Sequence, residues 1–168
     1  MDVYLRKITD ADTANIVRWR NSDDVRRWLY SQDDVTPEMH RSWIKNVVEK
    51  GRCSQYIIVV EENGETVDIG TTFIKRPSPD SKEGEFGIFI GETIARGKHC
   101  ALPATKEMLR IGFEELHLKT IFLTVFTDNT PAVKTYIKAG FQVVDEYEYS
   151  VDSSRHIYRM EINSNMPT

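Results

Sequence analysis

Along the chain, stretches of period two alternate with stretches of period 3.6, in an order that predicts a sheet interrupted by helices. Val3 to Ile8 alternates as a first strand, with Val3 and Leu5 on one side. Thr9 and Asp10 can cap a helix over Ala11 to Arg20, with Ile16, Val17 and Trp19 inward. Asn21-Ser22-Asp23 breaks that helix, and Asp24 to Tyr30 restarts helically around Val25, Trp28 and Leu29. Thr36-Pro37-Glu38 opens a further helix with a capping hydroxyl, a first-turn proline and an early carboxylate. Trp43, Ile44, Val47 and Val48 form its apolar stripe, and Gly51 ends it.

Strands dominate the next third. Tyr56 to Val60 and Val67 to Ile74 flank Glu62-Asn63-Gly64-Glu65, a hairpin turn. Arg76 to Lys82 reads as a surface loop, and Glu85 to Ile90 as another strand. From Ala101, Leu102, Met108, Leu109 and Phe113 fall at helical spacing. Thr120 to Thr127 is a buried strand. Asp128-Asn129-Thr130-Pro131 caps a helix that Gly140 terminates, and Phe141 to Tyr149 and Arg155 to Ile162 pair across the turn Asp152-Ser153-Ser154. This order predicts a mixed α/β (α+β) fold with helices on both faces of the sheet. Residues 1–163 form one domain, and 164–168 a loose tail.

Composition narrows the class more than the chemistry. With 168 residues, 40% apolar and 29% charged, the chain can bury one sizeable core. A formal net charge of −4 argues against general nucleic-acid binding. No apolar run approaches a membrane span, and the opening residues lack the apolar core of a secretory signal. Cys53 and Cys100, the two cysteines, show no metal spacing, so no metal site is expected. A reduced, cytoplasmic protein, monomeric or homodimeric, is the expectation.

One stretch concentrates candidate chemistry. The strand ending at Ile90 gives way to a turn with two glycines and two cations, Gly91 to Lys98, and then to a helix. Unpaired N–H groups at a helix start favour an anion such as a phosphate. An ordinary strand–loop–helix connection has the same pattern. No G-x-G-x-x-G follows the first strand, and Gly97-Lys98 is followed by His99, so neither a Rossmann unit nor a P-loop is present.

Read together, two segments are more specific. Arg96-Gly97-Lys98-His99-Cys100-Ala101 resembles the acyl-CoA pyrophosphate loop of the GNAT N-acetyltransferase superfamily, written Q/R-x-x-G-x-G/A. The block from Asn129 through Ala132 and Tyr136 to Gly140-Phe141 resembles a later block of that superfamily, and the element order agrees from Val3 to Ile162. The motif's glycine is His99 here, a departure that a helix start accommodates if φ stays negative. The last motif position is met by Ala101.

The resemblance implies a mostly antiparallel central sheet, acetyl-CoA as cofactor and transfer of its acetyl group to the primary amine of a small molecule. It implies that Gly97, Lys98, His99, Cys100 and Ala101 cradle the pyrophosphate with Arg96, and that Ile88, Phe89 and Ile90 run beside the pantetheine arm. A main-chain N–H there would polarise the thioester carbonyl. Asn129 and Ala132 would touch the cofactor, and Tyr136 would protonate the departing thiolate. Tyr136 also fits a core tyrosine packed on the sheet. Glu85 is the carboxylate best placed to take the amine's proton, or else a solvated strand-end residue.

The early helices would choose the acceptor. They are rich in aromatics and arginine, and this part resembles amino-sugar-nucleotide N-acetyltransferases of the pseudaminic acid pathway. On that likeness Arg20, Asn21, Arg26, Tyr30 and His40 would contact the acceptor, with aromatics covering a sugar or base and arginines answering a diphosphate. Trp19, Trp28 and Trp43 equally fit the core of the helical layer. Ribosomal-protein or protein N-terminal acetyltransferases share the same blocks, and a non-catalytic acyl-CoA-binding module could share the fold.

Overall fold

The computed structural model describes residues 1–164. One seven-stranded sheet runs through it in the order β1-β2-β3-β4-β5-β7-β6. The strands are β1 (Asp2–Lys7), β2 (Cys53–Glu62), β3 (Glu65–Lys75), β4 (Glu83–Ile90), β5 (Thr120–Phe126), β6 (Gln142–Glu148) and β7 (His156–Asn163). Every neighbouring pair is antiparallel except β4 and β5. The helices are α1 (Thr13–Asn21), α2 (Asp23–Arg26), α3 (Pro37–Trp43), α4 (Ala101–Arg110) and α5 (Thr130–Ala139). The fold is therefore the mixed α/β architecture expected, a mostly antiparallel sheet covered on both faces.

Alternation along β2 separates the two layers. Ile58 joins Ile69, Ala95, Cys100 and Ala104 on the α4 face, whereas Ile57 and Val59 pack with Ile16 and Trp19 of α1 on the other. The largest cluster lies under α4 and α5, where Met108, Leu109, Tyr136 and Ala139 meet Phe86, Ile121, Leu123 and Met160. The wide apolar stripe of α4 follows from burial against both the sheet and α5.

Local chemistry sets several boundaries. Asn63 and Gly64, at φ 54° and 81°, form the hairpin between β2 and β3. Thr36 Oγ1 accepts the Met39 N–H at 3.1 Å and so starts α3. Both α3 and α4 widen into a π-helical turn, Ile44–Val48 and Ile111–Glu115, closed by Glu49 N–H to Ile44 O and Leu116 N–H to Ile111 O. Gly140 ends α5 at φ 112°, where a side chain would be strained.

Three expectations need correction. The helix expected from Asp24 to Tyr30 is one turn, Asp23–Arg26, because Gln32 Nε2 caps the carbonyls of Arg26 and Leu29 and turns the chain away. Asn129 precedes α5 without a capping side-chain bond; its carbonyl accepts the Val133 N–H at 3.1 Å. His99 stands at φ 60°, so the negative φ expected of it is not adopted. The expected tail, 164–168, falls on 165–168 outside the described residues, and Ser164 donates its N–H to Lys119 O at 3.0 Å. At the sheet edge all seven residues of β6 are exposed. A bulge at Val144 and the carboxylates of Asp145, Glu146 and Glu148 make that edge a poor template for another strand.

Candidate active site

Strand β4 holds β5 only at Glu83, Gly84 and Glu85, opposite Thr120, Ile121 and Phe122. Beyond Glu85 it stays paired with β3 through Ile90, and β5 diverges. The Gly91 N–H donates to Ile69 O at 2.7 Å. Antiparallel alternation then turns the main-chain groups of Phe89 toward β3, and those of Phe86, Ile88 and Ile90 toward the opening. An unpaired strand edge suits a ligand that carries amides of its own.

The opening is the centre of a cleft of about 1130 Å³. It connects the two faces of the sheet. Phe86, in the α5-side cluster, stands edge-to-face with Tyr136 at 5.9 Å between ring centroids. Its neighbour Glu85 therefore points to the opposite face, among the α1–α3 residues. Both Glu85 and Tyr136 line the cleft.

The donor end is a turn built for an anion. Lys98 N–H bonds Ala95 O at 3.3 Å and Ala104 N–H bonds Cys100 O at 3.4 Å. Between them the amides of His99, Ala101 and Leu102 make no hydrogen bond among the described residues. They sit at the N-terminus of α4, so an incoming pyrophosphate would meet free donors and the favourable end of a helix dipole. Gly97 reaches φ 77° with open space around it, so its conformation, not crowding, calls for glycine. These features fit the diphosphate and amide arm of acetyl-CoA. Gly97, His99, Cys100, Ala101, Asn129 and Ala132 all line this end.

Two expected cofactor contacts are placed otherwise. Lys98 is exposed and outside the cleft lining, its side chain in solvent. Arg96 lines the cleft but is committed to the protein: Nη1 donates to Asp24 Oδ2 at 2.6 Å, and Nη2 to Ile90 O at 3.1 Å.

Tyr136 is nearly buried, at 9% exposure, against Phe86 and Phe141. Burial pushes its phenol pKa upward, so the group stays protonated far above neutral pH. The ring packs in the core, and the residue lines the cleft.

On the α1–α3 side of the cleft, Tyr30 O–H donates to Thr124 Oγ1 at 2.6 Å, beside the rings of Phe126 and Tyr149. Burial chiefly raises its pKa. Arg20 lines the cleft with one buried nitrogen, Nη1, lacking a partner; burial, and then the charge of Arg26, lower its pKa. His40 is 5% exposed, with Nδ1 2.9 Å from Thr13 Oγ1 and Nε2 buried without a partner. Burial lowers its pKa and keeps the imidazole neutral.

Two expected acceptor contacts are structural instead. Asn21 donates to Val35 O and accepts from Val35 N–H, both at 2.8 Å, so both ends of its amide are used. Arg26 pairs with Asp34 and lies outside the cleft lining.

The α1–α3 side of the cleft also contains residues that sequence reading missed. Phe73 and Lys75 of β3 project into the cleft, and Lys75 stands directly across from Glu85. The Lys75 ammonium rests over Trp43 at 5.4 Å and Phe73 at 5.1 Å. Trp43 Nε1 donates to Gln55 Oε1 at 3.2 Å, and Gln55 is fixed in turn by a buried bond from its Nε2 to Thr71 Oγ1 at 3.1 Å. Phe73 fits because Gly87 has no Cβ, which would lie 2.3 Å from the ring. The period-two pattern of β3 held a faint signal, but only its pairing with β4 places Lys75 beside Glu85.

Comparison with known proteins agrees with this geometry. The model of the acetyltransferase (GNAT) domain matches residues 2–142. An uncharacterized protein of Methanocaldococcus jannaschii is 25% identical over 83% of this chain, which spans 28% of that protein's length. The Escherichia coli spermidine N(1)-acetyltransferase is 27% identical, over 94% of this chain and 84% of its own. Acetyltransferase PseH of Campylobacter jejuni is 23% identical, over 86% and 87%. The crystal structure of Vibrio cholerae spermidine N-acetyltransferase, in complex with CoA and spermine, superposes with a TM-score of 0.86 at 18% identity, over 98% of this chain and 96% of that one. With the family match running through the open strand pair, the anion-binding turn and Tyr136, the chain belongs to the GNAT acetyltransferase family and uses acetyl-CoA as its acyl donor.

Proposed function

We propose that this domain acetylates a primary amine on an anionic small molecule with a ring system, of the amino-sugar-nucleotide class. The observation that carries the acceptor class is the charge on the acceptor wall. Arg20, Arg27 and Lys75 line it, against Glu85 and an Asp24 already paired with Arg96. A polyamine would meet three cations there; a diphosphate would meet three partners. Trp28, Tyr30, Trp43 and Phe73 supply aromatic surface for a sugar or base. The resemblance of the early helices to amino-sugar-nucleotide enzymes supports the same reading.

Acetyl-CoA supplies an acetyl thioester, and the residues supply proton handling and position. Glu85, where β4 and β5 part, takes the ammonium proton directly or through water. Tyr136, on the far side of the opening, holds a proton for the sulfur as the C–S bond breaks and the N–C bond forms. The β4 edge at Ile88 and Ile90 and the turn at Gly97 to Ala101 align the donor.

The test is CoA thiol release with acetyl-CoA and three acceptor sets in parallel: UDP-linked amino sugars, spermidine with spermine, and N-terminal peptides. Turnover is expected with the amino-sugar nucleotides. Efficient turnover confined to polyamines or to peptides overturns the acceptor class. CoA binding without turnover of any amine favours the non-catalytic module.

A further inference from the structure

The donor turn and the acceptor helices are separate in sequence, and one guanidinium spans them. Arg96 follows the end of β4, 72 residues after Asp24 of α2. Its Nη1 bonds the Asp24 carboxylate at 2.6 Å, and its Nη2 bonds Ile90 O, the last carbonyl on the open edge of β4. The two side chains are 33% and 51% exposed, so neither is sealed off from an incoming ligand.

Helix α2 is held to the core by Val25 and to its own following loop by the Arg26–Asp34 pair and Gln32 on the Arg26 carbonyl, and to the donor turn by Asp24. It is four residues long, too short to be stable alone. Val25 is its buried anchor, and the segment that follows carries Arg27, Trp28 and Tyr30 into the acceptor wall. Helix α1, by contrast, is clamped independently: Trp19 Nε1 bonds Glu92 Oε1 at 2.8 Å, and the indole covers Gly91. The Arg96–Asp24 pair is the side-chain bond that joins the turn directly to α2, whereas α1 meets the same loop earlier, at Gly91 and Glu92.

We infer that Arg96 and Asp24 are positioning residues that couple acetyl-CoA binding to the acceptor wall. A diphosphate settling on the free amides of the turn holds 96–102 in one arrangement. The Arg96–Asp24 pair then passes that restraint to α2 and orders the acceptor wall before the amine arrives. Donor binding favours acceptor binding, and by linkage the reverse. This goes beyond the catalytic roles of Glu85 and Tyr136, and it holds whichever amine is the acceptor.

Hydrogen–deuterium exchange with and without saturating acetyl-CoA tests the coupling apart from turnover. In the wild type, acetyl-CoA is expected to slow exchange at the turn, 97–104, and at 22–30, by about fivefold or more at the latter. In Asp24→Asn the turn keeps its protection within about twofold, and the protection at 22–30 is lost. Asp24→Glu, which retains the carboxylate, should restore at least half of it. No protection of 22–30 in the wild type, or undiminished protection in Asp24→Asn, overturns the inference. Equal loss at both segments in Asp24→Asn also overturns it, because the tie would then only hold the turn in shape.

Discussion

His99 takes a left-handed backbone, φ 60°, that a side chain resists and that the donor turn needs. Left-handed strain costs about 1 kcal/mol at such a position. His99→Gly removes it but adds unfolded-chain entropy of similar size. Thermal melts should therefore show little net change, with acetyl-CoA binding preserved. Gly97→Ala carries the same two effects with the signs reversed, strain gained at φ 77° and unfolded-chain entropy lost, so it too should change stability by less than about 1 kcal/mol although nothing crowds the new methyl. At Tyr136, burial keeps the phenol protonated, so phenol ionisation should cause no loss of kcat as pH rises toward about 9. Tyr136→Phe should lower kcat by about a hundredfold with the acetyl-CoA KM within about threefold, measured by thiol release. Wild-type turnover in that variant would end the proton-donor role. His40 has a folded pKa held below the unfolded value of 6.5 by burial, so the unfolded chain binds the extra proton first. Stability should fall as pH drops below about 6.5, and the fall should be shallower in His40→Gln.

At the scale of elements, the site depends on where strands stop pairing and where helices touch the sheet. β4 keeps β3 and leaves β5 at Glu85, and that single parting creates both the open edge and the passage between the faces. The contact of α1 with the end of β4 is equally local. A Cβ at Gly91 would lie 2.0 Å from the Trp19 ring, a rigid neighbour that is 1% exposed. Gly91→Ala should cost about 3 kcal/mol by forcing α1 off the sheet, read from urea unfolding. Arg6 ties β1 to the following turn and to β3, with bonds to Asp12 at 2.7 Å and 3.0 Å and to Asp68 at 2.7 Å. Burial opposes the Asp12 charge, yet bonds from Arg6 and Thr9 outweigh it and hold its pKa below the usual range.

For the whole molecule, the cleft is one continuous site that a bound donor should stabilise. At a hundredfold over its Kd, acetyl-CoA should add about 2.7 kcal/mol. That corresponds to roughly 5–10 °C in Tm for a domain of this size. No shift at saturating acetyl-CoA would mean that the cleft does not hold the donor. The cationic acceptor wall makes a further prediction at this scale. If the acceptor is anionic, its KM should rise with ionic strength, and the acetyl-CoA KM should respond separately through its own phosphates.

Where chemistry is local, the chain could be read directly. Hydrophobic periods determine the strand and helix order, and the cap at Thr36, the hairpin at Asn63-Gly64 and the stop at Gly140 depend on nearest neighbours alone. The turn from Arg96 to Ala101 and the block from Asn129 to Phe141 point to the donor only through their resemblance to the GNAT blocks, with which the family match over residues 2–142 agrees. Tertiary structure alone decided which side chains face one another. Asn21 and Arg26 carry the polar groups an acceptor would use, yet the loop at Asp34 and Val35 consumes them. Arg96 has the charge for a phosphate, yet it answers Asp24 instead. Lys75 enters the acceptor wall only because β3 and β4 pair in the register that sets it opposite Glu85. A sequence records what each residue can bind; distant pairing decides what is left free to bind a ligand.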